Sequence, residues 1–211
     1  MRVIIGIILV AFCLPGVAQK DDKASTLLEE VSNKAKSYKS IKASFTYTMD
    51  NKAANIHETK TGILLVADDE YQLKAAGQTI FCDGKTVWTY ISESNEVQIN
   101  DIDTREGAIT PSKLLTSYNA NYLSRIIRDK DAVGPDYEAI ELIPITTKNF
   151  VKAILIINKT LKQVKAFKIF DKNGNIFTYN VTKFQTDVPI KANDFTFVEA
   201  DYPDVEVIDM R

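Results

Sequence analysis

The stretch Phe81-Cys82-Asp83-Gly84-Lys85-Thr86-Val87-Trp88-Thr89-Tyr90 sets two strand-like runs on either side of an Asp-Gly pair. Such a pair supplies the positive backbone angles of a tight hairpin, so the two runs are expected to be antiparallel neighbours. Asn173-Gly174 stands in the same relation to the runs Gln163 to Phe170 and Ile176 to Phe184. Upstream, Ile41, Ala43, Phe45, Tyr47 and Met49 alternate with Lys42, Ser44, Thr46 and Thr48, the period of a half-buried strand. Further strand-like runs lie at Ile56 to Val66, Glu70 to Lys74, Thr79 to Cys82, Thr86 to Ile91, Val97 to Asn100, Tyr137 to Ile143, Val151 to Ile157 and Phe195 to Glu199. Their short spacing predicts an antiparallel meander.

Two segments depart from this period. Thr26 and Glu29 stand in capping-box spacing, and Leu28, Val31, Ala35 and Tyr38 recur at three and four residues, which predicts an amphipathic helix of about four turns. Between Thr110 and Arg128 the pattern reads as helical again, with Pro111 at the first position, Leu114, Leu115, Tyr122, Leu123, Ile126 and Ile127 as apolar contacts, and a break at Ser117 to Asn121. The expected fold is α+β and mainly β: a strongly curved antiparallel sheet forming an open half-barrel, its concave face covered by helices. Alternation alone leaves open whether that hollow is filled by side chains or kept for a ligand.

The first residues read as a secretory signal. Arg2 precedes an apolar run from Val3 to Leu14, and Pro15-Gly16-Val17-Ala18 offers small residues before a cut after Ala18. The run is too short to span a bilayer, which needs about 20 apolar residues. Residues 1–18 are thus expected as a signal peptide and 19–211 as a single domain of about 190 residues, enough for one sizeable core. The bulky Phe12 before Cys13 argues against a lipid-modified cysteine. Loss of Arg2 leaves the mature chain one charge more negative than the −2 of the full sequence, with both signs scattered. That pattern excludes an electrostatic nucleic-acid binder. Cys82 remains as a lone cysteine, so no internal disulfide can form.

No catalytic constellation is legible. His57 is the sole histidine, so any metal site or nucleophilic triad needing histidine must be built around it, and its neighbours are polar strand residues. Cys82 reads as a small buried side chain, with nothing adjacent to lower its pKa. Gly84-Lys85-Thr86 imitates the end of a phosphate loop, but Thr79 stands where the motif needs glycine, and a phosphate loop opens a helix rather than joining two strands. Asp101, Asp103 and Glu106 imitate a calcium loop with Arg105 at a ligand position and Gly107 one place late. Asp68, Asp69 and Glu70 lack a spaced partner for acid-base work. No cofactor or metal is expected.

The hairpin Asp83-Gly84-Lys85-Thr86-Val87-Trp88-Thr89-Tyr90 resembles the Asp-Gly-Lys-Thr-x-Trp-x-Tyr segment of the LolA-type periplasmic lipoprotein carriers. The opening helix followed by Ile41-Lys42-Ala43-Ser44-Phe45-Thr46, the run Gly62-Ile63-Leu64-Leu65, Pro111-Ser112-Lys113-Leu114-Leu115 and the late Phe195-Thr196-Phe197 before an exposed tail agree in order, so the resemblance spans the mature chain. It implies a half-open barrel closed by a helical lid, a periplasmic monomer that takes the acyl chains of a lipoprotein from an inner-membrane release complex to an outer-membrane acceptor, without catalysis. On that resemblance Phe45, Tyr47, Met49, Ile63, Leu65, Tyr71, Leu73, Trp88, Tyr90, Phe177 and Tyr179 line the hollow, and Leu114, Leu115, Leu123 and Ile126 belong to the lid. A sensor of the same shape that binds lipid or lipoprotein and regulates a membrane partner is the alternative; a periplasmic hydrolase is the weakest reading. One departure stands out. Where the family commonly carries an Arg-Pro pair that helps hold the lid, this chain has Ala67-Asp68-Asp69-Glu70-Tyr71, and an aspartate cannot supply a guanidinium's donors.

Overall fold

The computed structural model describes residues 21–102, 122–146 and 150–211. The expected signal peptide, the helical segment from Thr110 to Asn121 and two of the calcium-like carboxylates, Asp103 and Glu106, lie outside the described residues.

Helix α1 runs Asp22–Lys36. It starts a turn earlier than the Thr26/Glu29 spacing predicts, because Asp21 caps it: Oδ1 accepts from the backbone N–H of Lys23 at 3.0 Å and of Ala24 at 3.2 Å. Asp22 in the first turn and Lys34 and Lys36 in the last complement the helix dipole. Tyr38 falls just beyond the end.

The strands are β1 Ile41–Asn51, β2 Ile56–Ala67, β3 Glu70–Ala75, β4 Gln78–Cys82, β5 Thr86–Ile91, β6 Glu96–Asp101, β7 Tyr122–Ile127, β8 Tyr137–Pro144, β9 Phe150–Asn158, β10 Gln163–Asp171, β11 Ile176–Thr186 and β12 Glu206–Asp209. They form one open, curled sheet in the order β12-β6-β5-β4-β3-β2-β1-β11-β10-β9-β8-β7. All neighbours are antiparallel except β12, which runs parallel to β6. Both Gly hairpins form, with Gly84 at φ 85° and Gly174 at φ 81°. Asp83 Oδ1 accepts from the N–H groups of Lys85 and Thr86, so Gly84-Lys85-Thr86 is a turn and not an anion cradle.

Three expectations need correction. Tyr122, Leu123, Ile126 and Ile127 belong to an edge strand, β7, and not to a helix. Tyr-Leu-Ser-Arg-Ile-Ile has apolar residues at helical spacing, but pairing with β8 decides the outcome and turns Tyr122, Ser124 and Ile126 to one face. Phe195 to Glu199 form no strand; Phe195 is buried beneath an irregular segment that ends in a 3-10 turn, Glu199–Asp201. The last residues are not a free tail, since they add β12.

Helix α1 packs on the inner face of the sheet. Ala24, Leu27, Leu28 and Val31 meet Ile140 and Leu142 of β8, Ala153, Leu155 and Ile157 of β9 and Val164 of β10. The outer face is covered in two places. Ala132, in the connection from β7 to β8, packs over Ala139, Ile156 and Ala166, while the segment after β11 covers β3 to β6. A row of charges borders the first cover: buried Glu141 holds Arg125 at 2.5 Å and Lys152 at 2.8 Å, and buried Lys168 holds Asp129 at 2.7 Å and Asp131 at 2.6 Å.

Candidate functional site

Directly paired residues of neighbouring antiparallel strands share a face, so the register sorts every side chain. Phe45, Tyr47 and Met49 of β1 lie opposite Val181, Tyr179 and Phe177 of β11 and opposite Gly62, Lys60 and Glu58 of β2. Leu64 and Val66 continue this inner face, paired with Leu73 and Tyr71 of β3, which pair in turn with Ile80 and Cys82 of β4. The structure thus brings seven of the residues named from sequence together: Phe45, Tyr47, Met49, Tyr71, Leu73, Phe177 and Tyr179. A tilted pair at 5.9 Å joins Phe45 to Tyr179, and Tyr47 stands 5.1 Å from Tyr179 and 6.2 Å from Phe177, where the rings stack. Four aromatic rings therefore form one connected row along β1 and β11.

The row exists in this form because Gly62 lacks a side chain. A Cβ there would lie 2.7 Å from Phe45 Cε2 and 2.9 Å from the Lys74 carbonyl oxygen, so the Phe45 ring occupies the space above the glycine. Tyr47, Met49, Leu73, Phe177 and Tyr179 are half-buried, as are Leu64 and Ile80 beside them. Burial pushes the phenol of Tyr179 up to about 12 and that of Tyr71 to about 12, Tyr71 also feeling Cys82 beside it. Burial likewise raises the Cys82 thiol, which makes it a poor nucleophile.

The other four lining residues fall on the opposite face. Ile63 and Leu65 alternate with Gly62 and Leu64 and point outward, while Trp88 and Tyr90 pair with Phe81 and Thr79 and share their outer face. Tyr90 belongs to a separate aromatic cluster under the segment after β11, 4.5 Å from Tyr202 and 6.2 Å from Phe197, with Phe81 6.1 Å from Phe197. Gln72 Nε2 ties that segment down by donating to the Asp194 carbonyl at 2.8 Å. Ile63-Leu64-Leu65-Val66 is apolar at every position, so a single strand gives no sign of which row faces in; the cross-strand register does. Leu64 and Val66 carry no signal of their own for that reason, and Ile80 beside Phe81 and Cys82 carries little, whereas the alternation of β1, β3 and β11 marks the inward rows.

Of the lid residues, Ile126 lies on the inner face against α1 and Leu123 on the outer face, both in β7, while Leu114 and Leu115 lie outside the described residues. Where the family's arginine is missing, Asp68 and Asp69 make the β2–β3 turn, Asp68 with φ 50°. A cavity of about 230 Å³ separates this turn from the end of α1, lined by Ala35, Lys36, Tyr38, Ile41 and Val66 with the two aspartates. His57 is exposed and holds Asp50 across β1 and β2 at 2.5 Å, on the face opposite the inner row. Among the described residues, no group of three or more His, Cys, Asp or Glu could hold a metal ion, and no helix is long and apolar enough to cross a membrane.

Among the described residues, an open curled sheet carries one helix on its inner face and an aromatic row beside that helix, the framework of a binding protein with an apolar inner face. The chain belongs to the LolA family: the model of that family, "Outer membrane lipoprotein carrier protein LolA", matches residues 36–198. Members are periplasmic binding proteins rather than enzymes, and the membership points to lipid or lipoprotein binding. The chain is similar to an outer-membrane lipoprotein carrier protein of Shewanella pealeana, 24% identical over 213 residues that cover 95% of this chain and 91% of the relative. Among solved structures it resembles an uncharacterized conserved protein from Thermus thermophilus, with a TM-score of 0.55, 12% identity and coverage of 89% of this chain and 99% of that one. A LolA superfamily protein from Nitrosomonas europaea matches with a TM-score of 0.45, 11% identity and coverage of 82% and 97%.

Proposed function

We propose that the chain is a periplasmic carrier that shelters the acyl chains of lipoproteins against its inner face and delivers them from the inner to the outer membrane. The observation that carries this reading is the connected row of buried Phe45 and half-buried Tyr179, Tyr47 and Phe177 on the inner face of a LolA-family chain. Each CH₂ of an acyl chain gains about 0.8 kcal/mol on leaving water, so a carrier needs apolar surface and little else. Phe45, Tyr47, Met49, Tyr71, Leu73, Phe177 and Tyr179 form the lipid-binding set. A release complex loads the protein and an outer-membrane acceptor unloads it.

The test has two arms. Native mass spectrometry of protein taken gently from the periplasm finds lipid or lipoprotein in near-stoichiometric amounts; protein that is repeatedly empty contradicts the reading. Labelled lipoprotein bound to the chain then moves to acceptor membranes, whereas a sensor of the same fold binds it and does not deliver.

A further inference from the structure

Strand β2 is longer than its neighbour. It pairs with β1 along its whole length, from Ile56 opposite Asn51 to Val66 opposite Ile41, but β3 joins it only from Gly62 to Ala67. Ile56 to Thr61 therefore have a strand on one side only among the described residues, and His57 to Thr61 are exposed. Six residues of an antiparallel edge direct the N–H and C=O of alternate residues outward, enough to pair an extended segment.

This edge borders the aromatic row. Lys60 and Glu58 sit on the inner face directly opposite Tyr47 and Met49. Helix α1 ends at the other end of the hairpin, beside Ile41 and Val66, so among the described residues no helix lies over the Ile56 to Thr61 end.

We infer that the free edge of β2, Ile56 to Thr61, pairs as an added strand with the polypeptide that immediately follows the lipid anchor of the cargo. This rests on the carrier reading above. A chain whose acyl groups lie against Tyr47 and Met49 leaves the hollow past this edge, and its first backbone groups lose water at an apolar rim, where they need partners. Lys60 and Glu58 face each other at 3.7 Å and leave the edge without a net charge that would select an acidic or a basic sequence. Main-chain pairing is indifferent to side chains, which suits a carrier of many cargoes.

Hydrogen exchange and binding on the full mature chain test this with three synthetic probes: a diacylglyceryl cysteine alone, the same group heading a Ser/Gly/Thr peptide of about ten residues, long enough to span the edge, and that lipopeptide with its first amides N-methylated. All three protect the aromatic row, but only the unmodified lipopeptide protects Ile56 to Thr61, and it binds about tenfold more tightly than the other two. Equal affinity and no protection of the edge, with the hollow occupied, overturns the inference and leaves the carrier reading standing. Protection of the edge in cargo-free chain that grows with its concentration assigns the edge to a second copy and also overturns it. If no probe binds, the carrier reading falls and this inference with it.

Discussion

Gly62 shows how one missing side chain shapes the inner face. Its hydrogen leaves the space that the Phe45 ring fills, and Phe45 in turn orders Tyr179. Gly62→Ala forces the ring aside and is expected to cost about 1–3 kcal/mol in urea unfolding; in a Phe45→Ala background the same change costs much less. Equal costs in both backgrounds would refute the contact. Tyr71 and Tyr179, both pushed up to about 12 by burial, keep their protons in the folded chain after an unfolded tyrosine, near 10, has lost its own. Their contribution to stability is complete below pH about 10 and disappears as pH rises through the folded values. Phenolate absorbance should therefore lag in the folded protein, and stability should fall between about pH 10 and 12; full ionisation near 10 would show that the two rings are solvated.

At the scale of elements, the two faces of the sheet carry different work. Tyr47→Asp places a charge in the hollow and is expected to abolish acyl binding while the chain stays folded, whereas Trp88→Asp, on the outer face, leaves acyl affinity within about twofold. Equal losses from both would undo the sorting of faces. The β7–β10 half of the sheet adds a buried charge row, and Lys168→Met strips Asp129 of its partner at an expected cost of about 2–3 kcal/mol. Burial raises Asp129, but the hydrogen bonds from Lys168 and the Asp131 N–H outweigh it and hold the carboxyl low. That stabilisation is present above the ordinary carboxylate value of about 4 and is lost as pH falls through the lowered one. The variant's stability should then fall less steeply on acidification than the parent's. Much of this scale was legible in the sequence: the hairpins at Gly84 and Gly174, the alternation of β1 and the opening helix all form. What failed were the inward rows of β2 and β5, which depend on register, and β7, whose helical spacing gave way to pairing with β8.

For the whole molecule, the order of strands explains why the sheet stays open. Strands β6 and β7 follow one another in the chain yet stand at opposite sides of the sheet, so the fold is an open, curled surface with α1 against β7 to β10 and the aromatic row of β1 and β11 left beside it. Nothing in a single strand reveals that arrangement; the family resemblance of the Asp83 to Tyr90 hairpin did, and the match over residues 36–198 supports the same architecture. The carrier reading makes one demand on this surface, that another molecule's acyl chains lie along it. Photo-crosslinking with a lipoprotein whose acyl chains carry diazirines answers that directly. The label is expected on Phe45, Tyr47, Met49, Phe177 and Tyr179 and absent from Trp88 and Tyr90; labelling of the outer cluster instead, or of no residue in the sheet, would contradict the account.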